Sequence, residues 1–130
     1  MIPFYEEEQE VKKLEIMKVM ESVPEDTRIN FTYLSHGFST AFNTSIDKVS
    51  IECSPEEKVM MNFMVCDSWD MEQPKTLTTG KLLTLLRSNL IGEDTPIKAT
   101  KRNDEFQLNN IIVNYAGDSC DVTIQLKEVS

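Results

Sequence analysis

Hydrophobic and polar positions along this chain follow two periods, and the order of the periods occurs twice. Val11, Leu14, Met17, Val19 and Met20 recur at helical spacing and predict a helix that runs from the acidic Glu6-Glu7-Glu8-Gln9-Glu10 to about Ser22. Pro24 ends it, because the residue before a proline is pushed out of the helical region. From Arg28 the period falls to two. Ile29, Phe31 and Tyr33 alternate with Asn30 and Thr32, which predicts a strand with one wet face. Strands over residues 48–53 and 58–65 follow, around the turn-forming Ser54-Pro55-Glu56-Glu57. Leu82, Leu83, Leu85, Leu86 and Leu90 predict a second helix, capped by Thr78 or Thr79. Strands near 97–100, 108–115 and 121–127 complete the pattern, with Ala116-Gly117-Asp118-Ser119 turning the last hairpin.

The residues repeat as well as the periods. Lys13-Leu14 and the following Val23, Glu25-Asp26-Thr27 and Ile29 recur sixty-eight positions later, without a gap, as Lys81-Leu82, Ile91, Glu93-Asp94-Thr95 and Ile97. Further on, Val49, Ile51 and Cys53 match Ile111, Val113 and Tyr115, while Val59, Met61 and Phe63 match Val122, Ile124 and Leu126. A repeat dictates architecture more firmly than any single motif. It predicts one α+β domain over residues 1–130, made of two tandem αβββ repeats related by a pseudo-twofold. Repeat one spans about 6–66, a connector 67–77 and repeat two about 78–128. Six antiparallel strands form the sheet, and each helix covers the apolar face of its own three strands. Leu14, Met17 and Met20 face one set; Leu82, Leu85 and Leu86 face the other.

Charge changes this picture. The chain carries a net −9, and residues 1–72 hold 15 acidic against 6 basic side chains, whereas residues 73–130 hold 7 of each. Such a field repels phosphates and disfavours direct DNA or RNA binding. It suits either plain solubility or a partner with a basic surface. No apolar run reaches the length of a membrane span. Three cysteines without metal-type spacing point to a reducing, cytoplasmic setting, and Cys53 reads as a small buried hydrophobe at a strand end.

Two segments break the repeat. Ser35–Ser45 has no counterpart in the second half, which crosses the same interval six residues faster, and an insertion of this kind reads as a surface loop. His36 lies there with Phe38 and Phe42, whose rings either face a partner or fold back on the core. The connector holds Asp67, Trp69 and Asp70. Trp69 either anchors a partner or plugs the gap between the repeats. Met60 and Met64 lie on the predicted wet face of their strand, so that face is covered by a partner, a second copy or the chain itself.

Catalytic chemistry is not legible. Four scattered glycines make no phosphate loop, His36 has no partner constellation, and no zinc or calcium spacing occurs. The chain therefore reads as a non-enzyme without cofactor or metal. The shared Glu-Asp-Thr settings read as turns in which Asp or Thr bonds local backbone groups.

Leu77-Thr78-Thr79-Gly80-Lys81-Leu82-Leu83-Thr84-Leu85-Leu86, followed by Glu93-Asp94-Thr95-Pro96-Ile97, resembles a pattern common in small uncharacterised phage and prophage proteins. There, a Leu-Thr-x-Gly-x-Leu helix start leads to an Asp-x-Pro-Val beginning of a short sheet. The resemblance covers about 50 residues. It implies a mobile-element protein and assigns no catalytic residue.

The expectation is thus an acidic binding module, in the manner of a phage-encoded inhibitor that blocks a basic surface on a host nucleic-acid-handling or defence protein. Its contacts are expected at Glu56, Glu57, Asp67, Trp69, Asp70, His36 and Phe38. Two other expectations stand beside it: a small-ligand protein or minor enzyme with a pocket near His36, Trp69 and Tyr115, and an assembly protein that forms a homodimer through its sheet.

Overall fold

A computed structural model describes residues 11–35, 38–53, 59–67 and 77–129, without the side chains of 34, 35, 38, 39 and 67. Helix α1 is Lys13–Glu21, and the strands that follow are β1 Arg28–Ser35, β2 Phe38–Asn43, β3 Val49–Cys53, β4 Val59–Met64 and β5 Cys66–Asp67. Helix α2 is Thr79–Leu86, and β6 Ile97–Lys101, β7 Asp104–Ala116 and β8 Ser119–Glu128 close the chain's order. Thr78 caps α2 as expected, its hydroxyl accepting from the Lys81 N–H at 3.4 Å. The predicted acidic first turn of α1 lies outside the described residues. At the helix start that is described, the Lys12 N–H donates to the Glu15 carboxylate at 3.3 Å.

All eight strands belong to one α+β sheet, in the order β3-β4-β6-β7-β8-β1-β2-β5. The sheet curls until its margins share a single stretch of chain. β4 pairs with β3 and β6, and after Val65 the same stretch pairs with β2 as β5. Inside the curl lie Phe31, Phe63, Met61, Leu108, Ile124 and Leu126, all fully or almost fully buried. Phe31 and Phe63 meet across it with centroids 5.1 Å apart.

The expected six antiparallel strands are corrected to eight in a mixed sheet. β4 runs parallel to β6, and β1 parallel to β8. For β4 and β6 the cause is the position of α2 between them. A chain that leaves one strand and passes through a helix returns in the same direction, as crossover connections do. The expected surface loop is corrected too. Residues 38–43 form β2, which pairs with β1 from Phe31↔Phe42 to Ser35↔Phe38. A threonine, Thr40, in the row of Phe38 and Phe42, and an exposed alanine, Ala41, out of it concealed the alternation.

The pairings of the first half recur in the second with a shift. Val49, Ile51 and Cys53 face Phe63, Met61 and Val59, while Ile111, Val113 and Tyr115 face Ile124, Val122 and Cys120. Met61 thus occupies the place of Val122, not of Ile124. A two-residue slip leaves every side chain on the same face, so alternation alone does not detect it. The helices carry the same slip. Buried Ile16 and Met20 of α1 correspond to buried Leu82 and Leu86 of α2, each pair four residues apart. The Glu-Asp-Thr turns, in contrast, do match: the Thr27 N–H reaches the Pro24 carbonyl at 3.1 Å, and Thr95 reaches Gly92 at 3.2 Å.

Helix coverage differs from expectation accordingly. α1 and α2 are neighbours that pack on each other, and Glu21 meets Arg87 at 3.3 Å between them. Leu14 is 52% exposed and Leu90 61% exposed, and Met17 and Leu85 are only partly buried. Cys53 is exposed, because its strand end carries no cover on that side among the described residues. We expect Leu86→Ala to lower unfolding free energy by about 2–5 kcal/mol and Leu14→Ala by less than about 0.5 kcal/mol, read by urea denaturation.

Candidate functional site

Most residues expected to contact a partner lie outside the described residues: His36, Glu56, Glu57, Trp69 and Asp70. Phe38 and Asp67 are placed by their backbone alone. Phe38 opens β2 opposite Ser35, and Asp67 lies in β5 opposite Phe42, so they mark different ends of one strand. Phe42 folds back on the core. Its ring stacks on Tyr33 at 6.2 Å and tilts against Phe106 at 5.7 Å, with the Lys101 ammonium 5.2 Å from its centroid. Of the expected ligand pocket only Tyr115 is described, and it stands exposed near the β7–β8 turn.

On the outer face of β4, between Met60 and Met64, Asn62 is buried. Its amide donates to Glu52 Oε2 at 2.9 Å and to Thr100 Oγ1 at 3.1 Å, and Ser50 donates to the same carboxylate oxygen at 3.1 Å. This network ties β3, β4 and β6 together. Asn62 shares its face with Met60 and Met64 by alternation, but periodicity does not supply its partners, which come from two other strands. Among the described residues no group of carboxylates, histidine or cysteines could hold a metal ion.

Two open clefts lie beside the two Glu-Asp-Thr turns. The first, about 290 Å³, runs between α1, α2 and the turn at Pro24, with Met20, Val23 and Leu83 among its walls. The start of α2 is bonded to this turn. Thr79 N–H donates to Thr27 O at 2.9 Å, Gly80 N–H to Glu25 O at 2.9 Å, and the Thr79 hydroxyl to Pro24 O at 2.7 Å. Gly80 suits this close approach: a Cβ at this position would stand 3.0 Å from both Cβ and the carbonyl oxygen of Glu25, so the turn would have to shift by a few tenths of an ångström. The second cleft, about 600 Å³ and open, has Val59, Leu90 and Pro96 as apolar walls and Glu93 and Asp94 at its rim. Its turn is held by the Gly92 N–H donating to Thr95 Oγ1 at 2.7 Å. Leu90 was counted with the core of α2, yet it lies beyond the helix end, at the mouth of this cleft.

No protein-family model, curated protein or solved structure matches this chain. Among the described residues no helix is long and apolar enough to cross a membrane.

Two substitutions test this geometry. Gly80→Ala, which in an open helix would be favourable by roughly 1 kcal/mol, is expected instead to destabilise by about 1–3 kcal/mol through overpacking against Glu25. Asn62→Ala is expected to cost about 1–3 kcal/mol, since it strands the hydroxyl and carboxylate partners of a buried amide. Thermal and urea unfolding of the two variants provide the measurement.

Proposed function

We propose that the protein is an acidic protein-binding module built from two tandem αβββ units, acting as a phage-encoded inhibitor that occupies a basic surface of a host nucleic-acid-handling or defence protein. The observation that carries this reading is the placement of charge. The whole excess of −9 falls within residues 1–72. Glu56 and Glu57 precede the Val59–Asp67 stretch, and Asp67 and Asp70 end and follow it, so the strand that joins both sheet margins is bracketed by acid in the sequence. Recurrence of the pairings and of the Glu-Asp-Thr turn supports the tandem units.

Negative charge concentrated on one part of a molecule raises its encounter rate with a basic partner, and salt weakens the attraction. An apolar anchor then supplies the lasting affinity, and Trp69 and Phe38 are the residues assigned that part, with His36 beside them.

Capture of a basic host protein at low salt, followed by kinetics on the purified pair, tests the reading. Joint substitution Glu56→Gln, Glu57→Gln, Asp67→Asn and Asp70→Asn is expected to slow association about tenfold or more, with Trp69→Ala acting mainly on dissociation. Association rates that ignore both salt and the fourfold substitution, in a folded protein, would sink it.

A further inference from the structure

β7 is the longest described strand, and only part of it is flanked on both sides. β6 pairs with residues 104–107, whereas β8 follows β7 from Phe106 to Ala116. Among the described residues, no strand pairs with 109–116 on the side away from β8. Which backbone groups face that side follows from the turn. Ala116 and Ser119 flank a two-residue hairpin turn and exchange bonds with each other, so Asn114 and Ile112 also bond toward β8. Ile111, Val113 and Tyr115 therefore present their N–H and C=O groups to the open edge. The Ile111 N–H agrees with this direction, because it donates to the Asn110 side-chain oxygen at 2.9 Å.

Open edges are ordinarily blunted by charge, proline, a bulge or shortness. This one has no charged residue and no proline from Leu108 to Ala116. Its bulge, between Leu108 and Asn110, lies at the start and leaves 111–116 in regular register. β3, at the end of the sheet, is by contrast five residues long and carries Glu52. Ile111 and Val113 are only partly buried against the core, and Tyr115 is exposed. The edge is also complementary to itself. An antiparallel copy centred on Val113 sets Val113 against Val113 and Tyr115 against Ile111, and in each pair both residues turn their bonding groups to the other. The same twofold brings each β7–β8 turn beside the other copy's Leu108. There the Val11 N–H bonds the Leu108 carbonyl at 3.3 Å and fixes the start of α1. Asp118 of the turn, which is exposed, then approaches the exposed Lys12.

We propose that two copies of the chain pair through the open edges of β7, antiparallel about Val113, so that the sheet continues from one molecule into the other. The inference goes beyond the acidic-surface reading above and uses none of its residues. Pairing adds ladder bonds at Ile111, Val113 and Tyr115 and lays each Tyr115 ring beside the other copy's Ile111. A contact of this kind uses the same patch on both molecules, so it closes on itself and stops at a dimer. Two chains of net −9 repel each other, and exposed Lys12–Asp118 contacts offset little of that. Salt screens the net repulsion and strengthens the dimer, the opposite of its effect on capture of a basic partner.

Sedimentation of the full chain over a concentration series, at low and high salt, measures the association, and amide hydrogen exchange locates it. A monomer–dimer equilibrium with a dissociation constant of about 100 µM or tighter is expected, and it tightens as salt rises. Exchange of the Val113 and Tyr115 amides should slow about tenfold or more as the dimer fills. Tyr115→Lys changes an exposed side chain and is expected to weaken the dimer about tenfold or more, since it sets a charge on the edge. Lys12→Glu and Asp118→Lys should each weaken it about threefold, and both together in one chain should restore it. A chain still monomeric at about 1 mM overturns the inference. So does protection of Val113 and Tyr115 that ignores concentration, which would put the cover of this edge within a single chain. Dimers indifferent to Tyr115→Lys and to the charge exchange associate elsewhere and also overturn it. None of these outcomes touches salt-weakened capture of a basic protein, on which the earlier reading depends.

Discussion

One stretch of chain, Val59–Asp67, has to serve both margins of the sheet, and the rest of the architecture follows from that duty. Its first part hydrogen-bonds to β3 and β6, its last part to β2, and Val65 between them still donates to Thr100 O at 2.8 Å. β2 and β3 must therefore lie one after the other along the same flank, and the short 3-10 turn Ile46–Lys48 provides the step between them. Thr44 helps to fix the step, its hydroxyl donating to Met64 O at 2.8 Å. Closure of this kind removes most exposed strand edge, which otherwise invites pairing with other chains. It also creates a dry interior from a chain whose apolar fraction is ordinary.

The turns between strands show how local chemistry is fitted to this frame. Gly117 opens the two-residue β7–β8 turn with φ +64°, the left-handed region that suits glycine. The β6–β7 turn demands the same region of Arg102, at φ 57°, where an L side chain is strained. Tight turns are kept even where the residue does not favour them, because Lys101↔Asp104 and Ala116↔Ser119 must stay in register for β7 to reach across the sheet.

Much of this fold was legible in the sequence. Both helices, the hairpin at Gly117, the Thr78 cap and all six expected strand regions follow from period, capping and turn chemistry. What escaped has specific causes. β2 was read as a loop because Thr40 interrupts the apolar row of Phe38 and Phe42 and diluted the alternation. The parallel pairs could not be foreseen from hairpin signals, since they join residues far apart in the chain, Ile29 with Val122 and Met61 with Ile97. The matching of Leu14 with Leu82 rested on identical letters, whereas burial pairs Ile16 with Leu82. For the site, charge and motif pointed to the segments around Glu56 and Trp69, while the open cleft at Leu90 joins Val59 to residues 90–96, and only three-dimensional pairing brings these together.

The parallel pairing of β1 with β8 has a consequence for how the molecule comes to be. The strand formed first along the chain has β2 on one side but finds its other neighbour only in the strand formed last, and β7, already beside β6, waits for the same partner. Neither half can complete its hydrogen bonding while the other is missing. Loops must close over nearly the whole length of the polypeptide before the core becomes dry, and such closure slows folding relative to locally connected topologies. The halves are therefore not beads on a string. They share one sheet, in which loss of the final strand would strip β1 and β7 of one neighbour each and cut the sheet in two.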